Sequence, residues 1–138
     1  MVLVAAPPPS QPPRPLFRTM AAGSFIVRLF DLTSHGQTAL AFRHYGPLRR
    51  FDHQVNSSGA PAHDAVRGIY YAALTLSGCI VEIFGDTGLI DCAQWHVARP
   101  QLTRSIKLLN LRGVGAMRAG SVAALAKIPD HGLSQQWA

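Results

Sequence analysis

At 138 residues the chain is sized for one domain with a real core and is too short for two. It is 48% hydrophobic and only 14% charged, which excludes a disordered polyelectrolyte. Thirteen Lys and Arg against seven Asp and Glu give a formal charge of +6. That excess predicts attraction to anions such as nucleotides, nucleic acid or an acidic protein, without choosing among them.

Met1 to Ala6 runs into a proline-rich stretch, Pro7 to Pro15, which breaks any helix and lacks the basic start and long apolar centre of a signal peptide. Residues 1–22 therefore read as a disordered leader, with Met20 a candidate alternative start, and residues 23–138 as the domain. No apolar run reaches the ~18 to 20 residues of a membrane helix. The expectation is a soluble, cytoplasmic protein without a membrane partner.

Ser24 to Asp31 alternates loosely between apolar and polar residues and predicts a first strand. Thr33-Ser34-His35-Gly36 reads as a turn, and Ala39 to Arg43 as a second short strand ending at Gly46-Pro47. From Gln54 to His63 the mixture of Asn, Ser, Gly and Pro predicts an exposed loop. Arg67 to Ala73 reads as a strand, favoured by Tyr70 and Tyr71.

Leu76, Cys79, Ile80 and Ile83 fall on one stripe at helical spacing, which predicts a helix over Thr75 to Phe84 capped by Thr75 or Ser77 and ended by Gly85 to Gly88. Leu102 to Leu111 predicts another strand, leading into Gly113-Val114-Gly115. Ser121 to Ile128 predicts a short helix closed by Pro129 to Gly132. Strands and helices mix without a βαβ repeat, so the predicted class is α+β: a single compact domain with a small mixed sheet and short helices.

Glu82 is the only glutamate and lies in the apolar run Gly78 to Phe84. Burying an unpaired carboxylate there costs several kcal/mol, so a lone acid needs a reason. It lies about a third of a turn from the apolar stripe, where it is expected at the edge of the core, facing a cleft. With Arg43, Arg50 and a tyrosine it suggests a pocket for an anionic dinucleotide. Cys79 and Cys92 read as small hydrophobes and the six histidines are scattered singly, so no metal is expected.

Phe42-Arg43, Gly46-Pro47, Arg50-Phe51-Asp52-His53, Gly68 to Ala73, Glu82 to Asp86, Arg118-Ala119-Gly120 and Gln136-Trp137-Ala138 stand in the order of successive landmarks of the RES domain. The chain resembles this family of bacterial toxins, which act within toxin–antitoxin pairs, from about Phe25 to Ala138. The resemblance implies an α+β fold related to ADP-ribosyltransferase toxins. It also implies cleavage of the nicotinamide–ribose bond of NAD by hydrolysis, phosphorolysis or ADP-ribosyl transfer. NAD is then the substrate, no prosthetic group is needed, and the partner is a helix-turn-helix antitoxin through which alone nucleic acid is reached.

Carried over by position, Glu82 matches the family glutamate, which binds ribose hydroxyls and stabilises charge at the anomeric carbon, and Arg43 the first arginine. Arg50 matches the next arginine, suited to pyrophosphate. Tyr71, eleven positions before Glu82, matches the tyrosine that meets nicotinamide, with Tyr70 on the other strand face and the two exchanged by a one-residue shift. Arg118, Asp52 and His53 are further candidates, suited equally to bracing loops. The family serine follows the Gln-x-Trp-Ala landmark in a segment this sequence does not contain, so the resemblance implies a C-terminally incomplete, truncated domain, and Ser134 does not stand in for it. The alternatives are a basic nucleic-acid-binding module and an inactive remnant that only binds a partner. Against the former, the bases look dispersed, with no stripe interleaved with aromatics.

Overall fold

Long-range antiparallel pairing organises the chain. The computed structural model describes residues 13–35, 38–54, 60–121 and 131–137. Its elements in order are β1 (Phe17–Met20), β2 (Arg28–Asp31), β3 (Tyr45–Gly46), β4 (Ala62–His63), α1 (Leu76–Phe84), β5 (Trp95–Ala98), β6 (Ile106–Leu109), α2 (Val114–Arg118) and α3 (His131–Trp137). Short helices combine with small antiparallel sheets, β1 with β6, β2 with β5 and β3 with β4, an α+β arrangement.

The first two of these sheets are arms of one ribbon. Phe17 faces Leu109, Met20 faces Ile106, Arg28 faces Ala98 and Asp31 faces Trp95, with an isolated bridge between Phe25 and Gln101. The register is the same throughout, so no residue is inserted on either side. At Gly23, with its φ of 85°, the amide still donates to the Leu102 carbonyl at 2.8 Å, and side chains add to the ladder. Gln101 Nε2 donates to the Gly23 carbonyl at 3.0 Å and the Ala22 amide donates to Ser105 Oγ at 3.1 Å.

Strand β1 lies inside residues 1–22, which were expected to be a disordered leader; within that span Phe17 to Met20 is ordered by β6. Residues 1–12 lie outside the described residues.

Alternation along β2 gives the ribbon two different faces. Arg28 and Phe30 are buried, and His96, opposite Phe30, brings its ring to 5.6 Å from that of Phe30. Leu29, Val97 and Trp95 belong to the other face, where with Leu76, Ile80, Phe84, Ile90 and Cys92 they line an apolar groove of about 220 Å³ against α1. Phe84 meets Trp95 edge to face at 5.7 Å. Helix α1 begins as the sequence predicts. Thr75 is extended, and its Oγ1 accepts from the Gly78 amide at 3.1 Å, satisfying one of the free first-turn donors.

Two expected strands are not regular strands. In Ala39 to Arg43 only Arg43 pairs, exchanging two hydrogen bonds of 2.9 Å with Ile69. The carbonyls of Ala39 and Ala41 are taken by side chains instead, Tyr70 Oη at 2.7 Å and Arg28 Nη1 at 2.8 Å. The stretch Arg67 to Ala73 is shared between neighbours, with Ile69 bonded to Arg43 and Ala73 to Val27. The expected exposed loop Gln54 to His63 holds a buried Gln54 and contains β4.

The predicted strand over Leu102 to Leu111 shortens to Ile106–Leu109. The predicted helix Ser121 to Ile128 lies, beyond Ser121, outside the described residues, and the chain expected to close it, around His131 and Gly132, begins α3. β5 and α2 were not anticipated.

Thr75→Ala removes the α1 cap and is expected to lower stability by about 0.5–2 kcal/mol, read as a lower midpoint in chemical denaturation. Thr75→Ser should retain most of it.

Candidate functional site

Among the described residues the buried set is small and unusually polar. Beside Phe30, Ile69, Cys79 and Ala116 it includes Arg28, Arg43, Asp52, Gln54 and Ser134. A buried charge has to be paired and hydrogen-bonded to persist, and the pairing here centres on Asp52, which is 0% exposed.

The turn from Leu48 to Asp52 folds the carboxylate back over its own backbone. Asp52 Oδ2 accepts from the Leu48 amide at 2.6 Å, the Arg49 amide at 2.9 Å and Arg43 Nη2 at 2.6 Å. Oδ1 accepts from Tyr71 Oη at 2.8 Å. The backbone bridge to Ile69 fixes Arg43, and the next residues of that segment carry Tyr70 and Tyr71 to opposite sides. Tyr71 reaches Asp52, whereas Tyr70 bonds Ala39 and carries the Arg28 guanidinium 4.1 Å above its ring.

Burial pushes the pKa of Asp52 upward, yet the Leu48 amide, the Arg43 guanidinium, the Arg49 amide and the Tyr71 hydroxyl together hold it below the ordinary aspartate value. Tyr71 is pushed well above the ordinary tyrosine value, first by burial and then by the charge and hydrogen bond of Asp52. Its hydroxyl is therefore a donor at neutral pH. The residue as a whole is 39% exposed, so the ring side stays open to solvent above the buried carboxylate.

Gln54 completes the floor. Its Nε2 donates to the carbonyls of Arg43 at 3.1 Å and Arg67 at 3.2 Å, while its buried Oε1 has no hydrogen-bond partner among the described residues. A Cβ on Gly46 would come 1.9 Å from that Oε1 and 2.9 Å from Arg43 Nη1, so any side chain there has to displace Gln54 or Arg43. Arg43 Nη1 donates to the Tyr45 carbonyl. Helix α3 joins from outside, Gln135 Nε2 donating to the Arg49 carbonyl at 3.0 Å.

The structure thus brings together Arg43, Tyr71 and Asp52 and leaves the other sequence candidates outside this network. Glu82 is exposed on α1 rather than buried at a core edge. Only Cys79 of α1 is buried, so the helix turns a narrow stripe inward and leaves Val81 and Glu82 in solvent. Arg50, half-buried on the Asp52 turn, makes no hydrogen bond among the described residues. The arginine expected to grip a ligand, Arg43, points inward to Asp52 and is 4% exposed. Arg118 is exposed and donates through Nε to the Arg14 carbonyl at 2.9 Å, bracing the start of the ribbon. His53 contributes its carbonyl to Arg67 Nη1 at 3.1 Å.

Sequence reasoning passed over Gln54 and Arg28. The signal available for Gln54 is its two-residue spacing from Asp52, which puts both on one side of an extended backbone. Among the described residues no group of three or more His, Cys, Asp or Glu side chains could hold a metal ion, and no helix is long and apolar enough to cross a membrane.

Asp52→Asn leaves the buried Arg43 guanidinium without its counter-charge and is expected to cost about 3–5 kcal/mol, against about 1 kcal/mol for Tyr71→Phe. The carboxylate's lowered pKa adds stability above the unfolded value near 3.9, and this is lost as pH falls through the still lower folded value. Denaturation midpoints followed from pH 6 downward should therefore drop in the native protein, and the drop should be smaller in Asp52→Asn.

No protein-family model, curated protein or solved structure matches this chain, and the functional reading rests on its own residues.

Proposed function

We propose that the chain is a RES-like, NAD-consuming domain that cleaves the nicotinamide–ribose bond, on a fold of the ADP-ribosyltransferase-toxin type and as the toxin of a toxin–antitoxin pair. One observation carries the reading. Arg43, Asp52 and Tyr71 come from three separate segments of the resemblance and meet in a single buried hydrogen-bonded cluster.

Within this reading Arg43 and Asp52 are positioning residues. They neutralise one another and fix the hydroxyl of Tyr71, so that the exposed side of its ring forms one wall for a planar heterocycle. Arg50, on the turn that Asp52 organises, supplies a guanidinium for pyrophosphate oxygens, which it grips through two donors. Glu82 is open to solvent and makes no ion pair among the described residues, leaving its carboxylate available to ribose hydroxyls and to the positive charge that develops as the glycosidic bond breaks. Arg118 serves the ribbon instead of the ligand. Water, phosphate or a protein side chain accepts the ADP-ribose, and a helix-turn-helix antitoxin is the proposed partner.

The test is loss of NAD and release of nicotinamide by the purified chain, with and without phosphate. Native protein should consume NAD, and Glu82→Gln should slow it by about 10²- to 10³-fold with an unchanged circular dichroism spectrum. NAD left intact by a folded native chain under both conditions sinks the proposal.

A further inference from the structure

Six bases, Arg14, Arg18, Arg104, Lys107, Arg112 and Arg118, lie in the two segments 13–23 and 101–121 that build the β1–β6 arm and α2, and neither segment contains an acid. All six are exposed. The described acids, Asp31, Asp52, Asp64, Glu82, Asp86 and Asp91, all belong to the rest of the chain. The sequence hides this separation, because the two segments are far apart until the ribbon pairs them.

The arm is open on both faces. Apart from Met20 and Ile106 its strand residues are exposed. Arg18 pairs with Leu108 and the neighbouring pair is Thr19 with Lys107, so the two cations project from opposite faces. Phe17 is 52% exposed with Lys107 Nζ 4.1 Å from its ring centroid, and further along the ribbon the exposed Phe25 carries the Arg99 guanidinium at 4.2 Å. Exposed rings set among cations, without acids, match a flexible polyanion whose own rings can stack, since phosphates meet the bases while nucleobases meet the phenylalanines.

We propose that the β1–β6 arm is a binding surface for single-stranded nucleic acid, independent of the NAD reading and direct rather than through an antitoxin. A flexible strand wraps the edge of this two-stranded arm, with Arg18 on one face and Phe17 and Lys107 on the other: Arg18, Arg104 and Arg112 contact phosphates, and Phe17 offers a stacking position once Lys107 swings to the backbone of the ligand. A surface built this way binds with little sequence preference and strong salt dependence.

The experiment is fluorescence anisotropy of a labelled oligothymidylate titrated with the full chain between about 50 and 200 mM salt. The native protein should bind, with log K falling by about 0.7 per contacted phosphate for each unit of log salt. Arg18→Gln/Arg104→Gln/Arg112→Gln should weaken binding at least tenfold and flatten that slope by about 2. Phe17→Ala should weaken it about tenfold with the slope unchanged. None of the three arginine side chains makes a hydrogen bond among the described residues, so thermal melts of the triple variant should match the native protein.

Absence of binding at the lowest salt overturns the proposal. So does equal binding of polyglutamate or anionic vesicles with no effect of Phe17→Ala, which would mark a surface for acidic partners in general. Tighter binding of duplex than of single-stranded DNA overturns the assignment to single strands.

Discussion

Asp52 has no access to water, so its charge is held entirely by protein donors, and those donors dictate where three stretches of chain must lie. The Leu48 and Arg49 amides curl the turn beneath it, Arg43 is drawn inward from its bridge with Ile69, and Tyr71 is pulled down by its hydroxyl. A hydrophobic contact tolerates sliding, whereas a buried carboxylate with four directed donors does not. With few fully buried apolar side chains, specificity of the middle of this fold comes from satisfying polar groups.

Helix α1 was legible because its instructions are local: a threonine cap, an apolar stripe and a glycine at the end lie within a dozen residues. The strand over Ser24 to Asp31 was legible in part, since its last four residues, Arg28 to Asp31, do pair, although the inward set proved to be Arg28 and Phe30. Nothing in a loose alternation says that an arginine can be the buried member, because that depends on Tyr70 and the Ala41 carbonyl arriving from elsewhere.

Phe17 to Met20 escaped notice for a related reason. Four residues after a proline-rich run carry no strand signal of their own, and they are extended because Ile106 to Leu109 lies beside them. Glu82 shows the opposite error. A lone acid in an apolar run suggested burial, but a nine-residue helix that covers one face of a narrow ribbon hides few of its side chains. Of the candidate site, Arg43, Asp52 and Tyr71 were readable as candidate residues. That Arg43 would turn inward was not, because its partner Asp52 can be identified only once the backbone has brought the two together.

The constant register of the ribbon has a topological meaning. Everything from Leu32 to Gln94, including Asp52, its donors and α1, is in effect the loop of one long antiparallel hairpin whose stems are the segments ending at Asp31 and beginning at Trp95. Closing a loop of that size lowers chain entropy before the ladder compensates, and contacts so distant in sequence slow folding. On the ribosome the first stem must wait, unpaired and with its edges open, until the second emerges. The polar centre can curl locally in the meantime, since the turn around Asp52 and its arginine are near neighbours in sequence. Such a chain assembles from the inside of its loop outward, with the ribbon the last part to be secured.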